Sequence, residues 1–140
     1  MALIVDAGAL YAQADADEPR HLDVVRVLRE ERGALVTSEF AVAEADYLIL
    51  DRLGIDVELA FADDLAHGTY AVECLSPAEL GKARALLERY RDLKLGLADA
   101  SLVVLAERYG TTRVLTFDSR AFRTVIPLQG GAFQVLPSDT

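Results

Sequence analysis

Asp6, Glu44, Asp99 and Asp118 stand where an ordinary surface acid would not. Asp6 closes the apolar run Ala2-Leu3-Ile4-Val5, and Asp118 closes Val114-Leu115-Thr116-Phe117. Leu102, Val103 and Ala106 follow Asp99 at helical offsets, which puts that carboxylate on the apolar face of a helix. Glu44 shares a helix face with Phe40, Tyr47 and Leu48 by the same spacings. A carboxylate turned toward a core is costly unless a cation meets it. His21 and His67 are isolated and read as surface residues, while Cys74 reads as part of a core strand. Four carboxylates without a nitrogen or sulfur ligand suit Mg²⁺ or Mn²⁺, hard ions that take oxygen ligands. Such ions activate water and bind a phosphodiester for in-line displacement.

Each acid also has an ordinary role open to it. Asp99 and Asp118 can cap helix starts, and Asp6 can bond to backbone amides in its own turn. Glu44 is harder to assign, since an acid in mid-helix caps nothing; pairing with an arginine is its alternative. All four roles falling together by coincidence is less economical than one shared site.

The elements that must position these residues alternate between strand and helix. Strands are predicted at residues 2–5, 34–37, 70–75, 114–117 and 133–136. Helices are predicted at about residues 9–14, 21–32, 39–53, 57–66 and 77–92, then from about Gly96 to Gly110, with one turn at 119–124. Leu22, Val25 and Leu28 supply the apolar stripe of the second helix. Ser38 is an N-cap, Ser76-Pro77 with Glu79 spells a capping box, and Gly110 is a helix stop. This alternation predicts an α/β domain whose mostly parallel sheet is covered on both faces. Ligands of such sheets collect beyond the carboxyl ends of the strands. Asp6 and Asp118 lie at such ends, and Asp99 and Glu44 lie near helix starts at the same edge, so the four acids can converge.

The 140 residues suffice for one domain with a substantial core. Although 52% of the chain is hydrophobic, no apolar run approaches the roughly 20 residues that span a bilayer. Asp6 interrupts the opening apolar stretch, which has no basic flank, so it does not read as a signal peptide. With Cys74 as its single cysteine the chain has no internal disulfide, and a cytoplasmic location is expected. The net charge of −9 argues at first sight against nucleic acid. Its distribution says more: residues 1–76 carry −11, whereas residues 77–125 carry +3 and include Lys82, Arg84, Arg89, Arg91, Lys94, Arg120 and Arg123.

Val5-Asp6-Ala7-Gly8-Ala9-Leu10, Glu44 in Val-Ala-Glu-Ala-Asp-Tyr-Leu, Asp99 in Gly-Leu-Ala-Asp-Ala-Ser-Leu, and Leu115-Thr116-Phe117-Asp118 occur in the order and spacing of PIN domains. Over essentially its whole length the chain resembles the VapC ribonuclease toxins of bacterial toxin–antitoxin pairs. That resemblance implies a three-layer α/β/α sandwich with a mostly parallel central sheet. It implies Mg²⁺ or Mn²⁺ held by Asp6, Glu44, Asp99 and Asp118, and endonucleolytic cleavage of structured RNA that inhibits translation. It further implies a homodimer and a small cognate antitoxin that covers the site. The apolar residues of helices 39–53 and 57–66 (Phe40, Val42, Leu50, Leu53, Leu59, Phe61 and Leu65) are expected to serve these contacts. Arg120 or Arg123 would hold a flanking phosphate. One departure stands out: the family often has Ser, Thr or Asn where this chain has Gly8, although Thr116 offers a hydroxyl near Asp118. Gly8 favours the alternative of a non-catalytic PIN-like module that binds RNA or protein; the intact acids disfavour it. A receiver domain would need an acidic pair at the first strand and a Lys where Asp118 stands. A haloacid-dehalogenase-type phosphatase would need an Asp at position 8.

Overall fold

Leu3, Ile4 and Val5 form β1 (Leu3–Val5), each at most 1% exposed, as a strand covered on both faces requires. In this computed structural model, which describes residues 1–139, β1 is the middle strand of an all-parallel sheet. Its companions are β2 (Leu35–Ser38), β3 (Ala71–Glu73), β4 (Arg113–Leu115) and β5 (Gln134–Leu136), in the order β3-β2-β1-β4-β5. Ile4 pairs with Val36 on one side and Val114 on the other. Helices α1 (Ala7–Ala14) and α2 (His21–Glu30) connect β1 to β2, and α3 (Glu39–Leu53) and α4 (Ile55–Ala66) connect β2 to β3. The chain then crosses back to β4 through α5 (Pro77–Arg89), a 3₁₀ turn (Arg91–Leu93) and α6 (Gly96–Tyr109). Right-handed crossovers put α1–α4 on one face and α5 and α6 on the other, the three-layer sandwich expected. After β4 comes the short α7 (Ser119–Thr124). Among the described residues, no helix is long and apolar enough to cross a membrane.

The local signals act as their chemistry predicts. The Ser38 hydroxyl accepts from Ala41 N–H at 3.1 Å and starts α3. The Ser76–Glu79 capping box is closed from both sides, at 3.0 and 3.2 Å. Gly110 takes φ 63° and ends α6. Helix α1 starts two residues earlier than the sequence suggests, because Asp6 is itself its N-cap and accepts from Ala9 N–H at 2.8 Å.

Three packing expectations fail. In α2 the buried residues are Val24 and Val27, while Leu22 is 79% exposed. The ends of the helix set its rotation: His21 Nδ1 donates to Ala12 O at 2.7 Å, and Glu31, just beyond it, pairs with Arg113 at 2.7 Å. In α3 the buried stripe is Ala41, Ala45 and Ile49, so the face with Phe40, Glu44 and Tyr47 lies open. Small residues let α3 approach its neighbours closely, which bulky ones would prevent. Cys74 lies past the end of an edge strand and is exposed rather than core. Of the apolar residues assigned to contacts, Phe61 is buried, Val42, Leu53 and Leu65 are half-buried, and Phe40, Leu50 and Leu59 remain exposed.

The rotation of α2 is testable by urea unfolding. Val24→Ala should cost roughly 2 kcal/mol, for two buried methyl groups and the cavity they leave. Leu22→Ala should stay within about 0.5 kcal/mol. A larger loss at Leu22 than at Val24 would reverse the assignment.

Candidate active site

The strand order changes direction between β1 and β4, and the crevice beyond their carboxyl ends is where a parallel sheet gathers ligands. Asp6 follows β1 directly and donates its N–H to Leu115 O of β4 at 3.1 Å. Asp118 lies three residues past β4 and caps α7, its Oδ1 accepting from Ala121 N–H at 3.3 Å. Asp99 sits in the first turn of α6 without capping it. Glu44 stands exposed on the open face of α3 and forms no ion pair among the described residues. These four acids line one cavity of about 300 Å³, together with Ala7, Gly8, the segment Leu95–Ala98 and Phe117.

A layer of buried hydroxyls fixes the floor. Thr116, 1% exposed, donates to Asp6 Oδ2 and accepts from Asp118 N–H at 2.9 Å, so one side chain joins two of the acids. Thr37 donates to Val5 O at 2.8 Å and ties the end of β2 to the end of β1. Ser101 and Ser38 share a hydroxyl–hydroxyl hydrogen bond at 2.7 Å that locks the starts of α6 and α3 together. The sequence reading placed Thr116 beside Asp118 but missed its bond to Asp6, which supplies the support absent at Gly8. It also missed Thr37 and Ser101; for Ser101 the signal is a lone hydroxyl between Ala100 and Leu102.

Among the described residues no Lys, Arg or His lines the cavity, so no basic side chain on its wall compensates the acids. Burial, reinforced by the charges of Asp118 and Glu44, pushes Asp6 up to about 6, against the lowering effect of its bonds to Thr116 and Ala9. Burial likewise pushes Asp99 up to about 7, with added repulsion from Asp6, Asp118 and Glu44 and a hydrogen bond to Asp118. Among the described residues no three His, Cys, Asp or Glu side chains form a closed metal cage. The Asp6 oxygens are engaged by Ala9 and Thr116, and Glu44 remains at the rim. The donor set nevertheless fits a hard divalent cation: it is all oxygen, anionic and without a protein counterion. Of the two arginines considered for a flanking phosphate, Arg123 is engaged, gripping Asp139 at 2.8 and 2.5 Å. A larger cavity of about 400 Å³ lies at the amino ends of β2 and β3, where His21, Arg29 and Asp64 mix charges of both signs. It lacks the convergence of like charges seen at the crevice.

With this geometry in view, the chain belongs to the PIN domain family, whose family model matches residues 3–126. It is 42% identical over 135 residues to Ribonuclease VapC26 of Mycobacterium tuberculosis, covering 96% of this chain and all of that protein. The crystal structure of Mycobacterium tuberculosis VapC20, a Sarcin-Ricin loop cleaving toxin, superposes with a TM-score of 0.77 at 20% identity, covering 84% of this chain and 90% of that one. A toxin-antitoxin complex from Klebsiella pneumoniae matches with a TM-score of 0.64 at 16% identity, over 88% and 92%. At such identities these two likenesses speak to the fold alone.

The raised carboxyls have a sign that can be checked. Asp6 and Asp99 titrate near the usual 3.8 in the unfolded chain but near 6 and 7 in the folded one. Between about pH 4 and pH 7 the folded state therefore binds more protons, and metal-free stability must fall as pH rises through that window. Asp99→Asn should flatten the fall and raise stability at pH 8 by about 1 kcal/mol, one pKa unit, since Asp99 retains contact with solvent. Melting curves in EDTA from pH 4 to pH 8 test this; a mutant that melts well below wild type at pH 8 would mark Asp99 as structural support.

Proposed function

We propose that this protein is a metal-dependent endoribonuclease, the toxin of a type II toxin–antitoxin pair, that cuts structured RNA and so inhibits translation. The observation that carries the chemistry is the cavity of four carboxylates with, among the described residues, no cationic side chain on its wall. The biological role rests on the kinship with Ribonuclease VapC26. On this reading Asp6, Glu44, Asp99 and Asp118 hold Mg²⁺ or Mn²⁺, which would lower the pKa of a water molecule and offset charge growing on the scissile phosphate.

The remaining work belongs to the chain's own groups. Thr116 and Ala9 N–H each bond one oxygen of Asp6, which fixes the plane of that carboxylate. Thr116 also positions the backbone at Asp118, so both acids keep one geometry through the reaction. Glu44, in no ion pair among the described residues, would orient the attacking water and accept its proton. Leu95, Leu97 and Phe117 wall the cavity with apolar surface, which strengthens the electrostatic interactions inside it. The exposed Phe40, Tyr47 and Leu50 of α3, with Ile55 and Leu59 of α4, offer apolar area for a cognate antitoxin and a second copy of the chain.

Purified protein should cleave RNA in Mg²⁺ or Mn²⁺ and stop in EDTA. Asp6→Asn and Asp99→Asn should each lower kcat by orders of magnitude while remaining folded. Thr116→Val, which keeps the shape but frees Asp6, should lower kcat about 10-fold or more and cost roughly 1–3 kcal/mol of stability. Undiminished cleavage in excess EDTA, by a preparation in which Asp99→Asn is equally active, would refute the metal-dependent reading.

A further inference from the structure

Resting on the nuclease reading, the basic residues beside the acidic cavity bear on the path of the substrate strand. Acids outnumber bases by 23 to 14, yet only seven of the fourteen bases are in ion pairs among the described residues, and Arg29, Arg32 and Arg91 share with Lys94 and Arg120 the lack of one. Among the described residues, Arg20, Arg26, Lys82, Arg84, Arg108, Arg113 and Arg123 are in ion pairs. Arg52 and Arg89 lie over tyrosine rings. On one side of the cavity, across Phe117, the basic groups are already answered. Arg20 stacks on that ring at 4.1 Å and pairs with Glu18 at 3.0 Å, Arg26 pairs with Glu30 at 3.9 Å, and Asp23 shares their groove.

Lys94 and Arg120 differ. Lys94 precedes the cavity-lining Leu95, and Arg120 lies two residues past Asp118; neither has an ion pair among the described residues. Arg120 donates from its Nη2 to Leu93 O at 3.5 Å, which brings its guanidinium to the turn that carries Lys94. Lys94 is also the only non-glycine residue at positive φ among the described residues, at φ 49° and ψ 53°. Glycine adopts that conformation without steric cost and lysine does not. Lys94 thus stands beside the cavity in a costly backbone conformation and in no ion pair among the described residues.

We propose that Lys94 and Arg120 bind the RNA phosphates adjacent to the scissile one, so that the strand runs from the acidic cavity over the turn at 91–94 and the start of α7. Both act as positioning residues through ground-state binding, and therefore on KM rather than on kcat.

Steady-state cleavage of a labelled RNA hairpin cut by the wild-type chain, measured at several salt concentrations in Mg²⁺, tests this together with thermal melts. Lys94→Gly and Arg120→Ala should each raise KM about tenfold with kcat nearly unchanged. Each should also reduce the slope of log affinity against log salt by about 0.7 to 0.9, one phosphate contact. Lys94→Gly should melt no lower than wild type, because glycine relieves the backbone; a purely structural lysine would give that melt with an unchanged KM. Arg123→Ala, which releases Asp139, should lower the melt and leave KM and the salt slope alone. If wild type cleaves while both cavity-side variants keep its KM and salt slope, the proposal is wrong and the nuclease reading stands. If wild type cuts none of the RNA offered, the nuclease reading fails and this proposal with it.

Discussion

Repulsion among like charges is the constraint on which the rest of this structure turns. Asp6 is 5% exposed and sits at the dry end of the central strand, with Asp99, Asp118 and Glu44 lining the same cavity. Among the described residues no side chain of opposite sign lines that cavity to relieve them. In water these groups would drift apart; at the edge of a packed sheet they cannot. The cost of holding them registers as the upward displacement of Asp6 and Asp99, each driven first by loss of solvent. Structures accept such local cost where function requires a particular arrangement.

Short buried hydroxyls oppose the repulsion. Thr116, Thr37, Ser38 and Ser101 are all at most 1% exposed, and each bonds across elements or within the turn it begins. Among the described residues no buried side-chain polar atom lacks a partner. A fully satisfied network in a low-dielectric layer is stiff. Longer polar side chains could make the same bonds, but with more rotamers and a less exact placement of the carboxylates. The two helix caps made by Asp6 and Asp118 belong to the same scheme. The structural role and the proposed catalytic role are compatible, because a carboxylate oxygen that accepts one hydrogen bond still has a further lone pair to offer.

Away from the cavity the chain is held by more ordinary means. Arg108 draws α6 onto the turn before α5 through Glu73 at 2.7 Å, Glu79 at 2.6 Å and the carbonyl of Cys74 at 2.8 Å. Arg123 secures the segment after β5 through Asp139, which also accepts from Val135 N–H at 2.8 Å. These pairs lie at the surface and contribute little each. Their interest lies in what they consume, since a guanidinium gripping a carboxylate is not available to a phosphate. The two arginines of α7, three residues apart, differ in this respect and in nothing visible from their type.

The sequence by itself determined the order of elements, the parallel sheet and the identities of the four acids. Those features rest on local chemistry: apolar runs of strand length, Ser38 and the Ser76–Glu79 box as helix starts, Gly110 as a stop, and acids placed at strand ends. Tertiary structure decided which faces are buried. The sequence favours Leu22 as core by its hydrophobicity, yet Val24 occupies it, with contacts made elsewhere, His21 to Ala12 and Glu31 to Arg113, holding the two ends of α2. Tertiary structure also decided that Thr116 serves Asp6 across 110 positions of chain, and that Arg123 is engaged while Arg120 has no acidic partner among the described residues. A residue's type and its neighbours in sequence fix what it can bond to; only the folded arrangement brings a distant partner within reach.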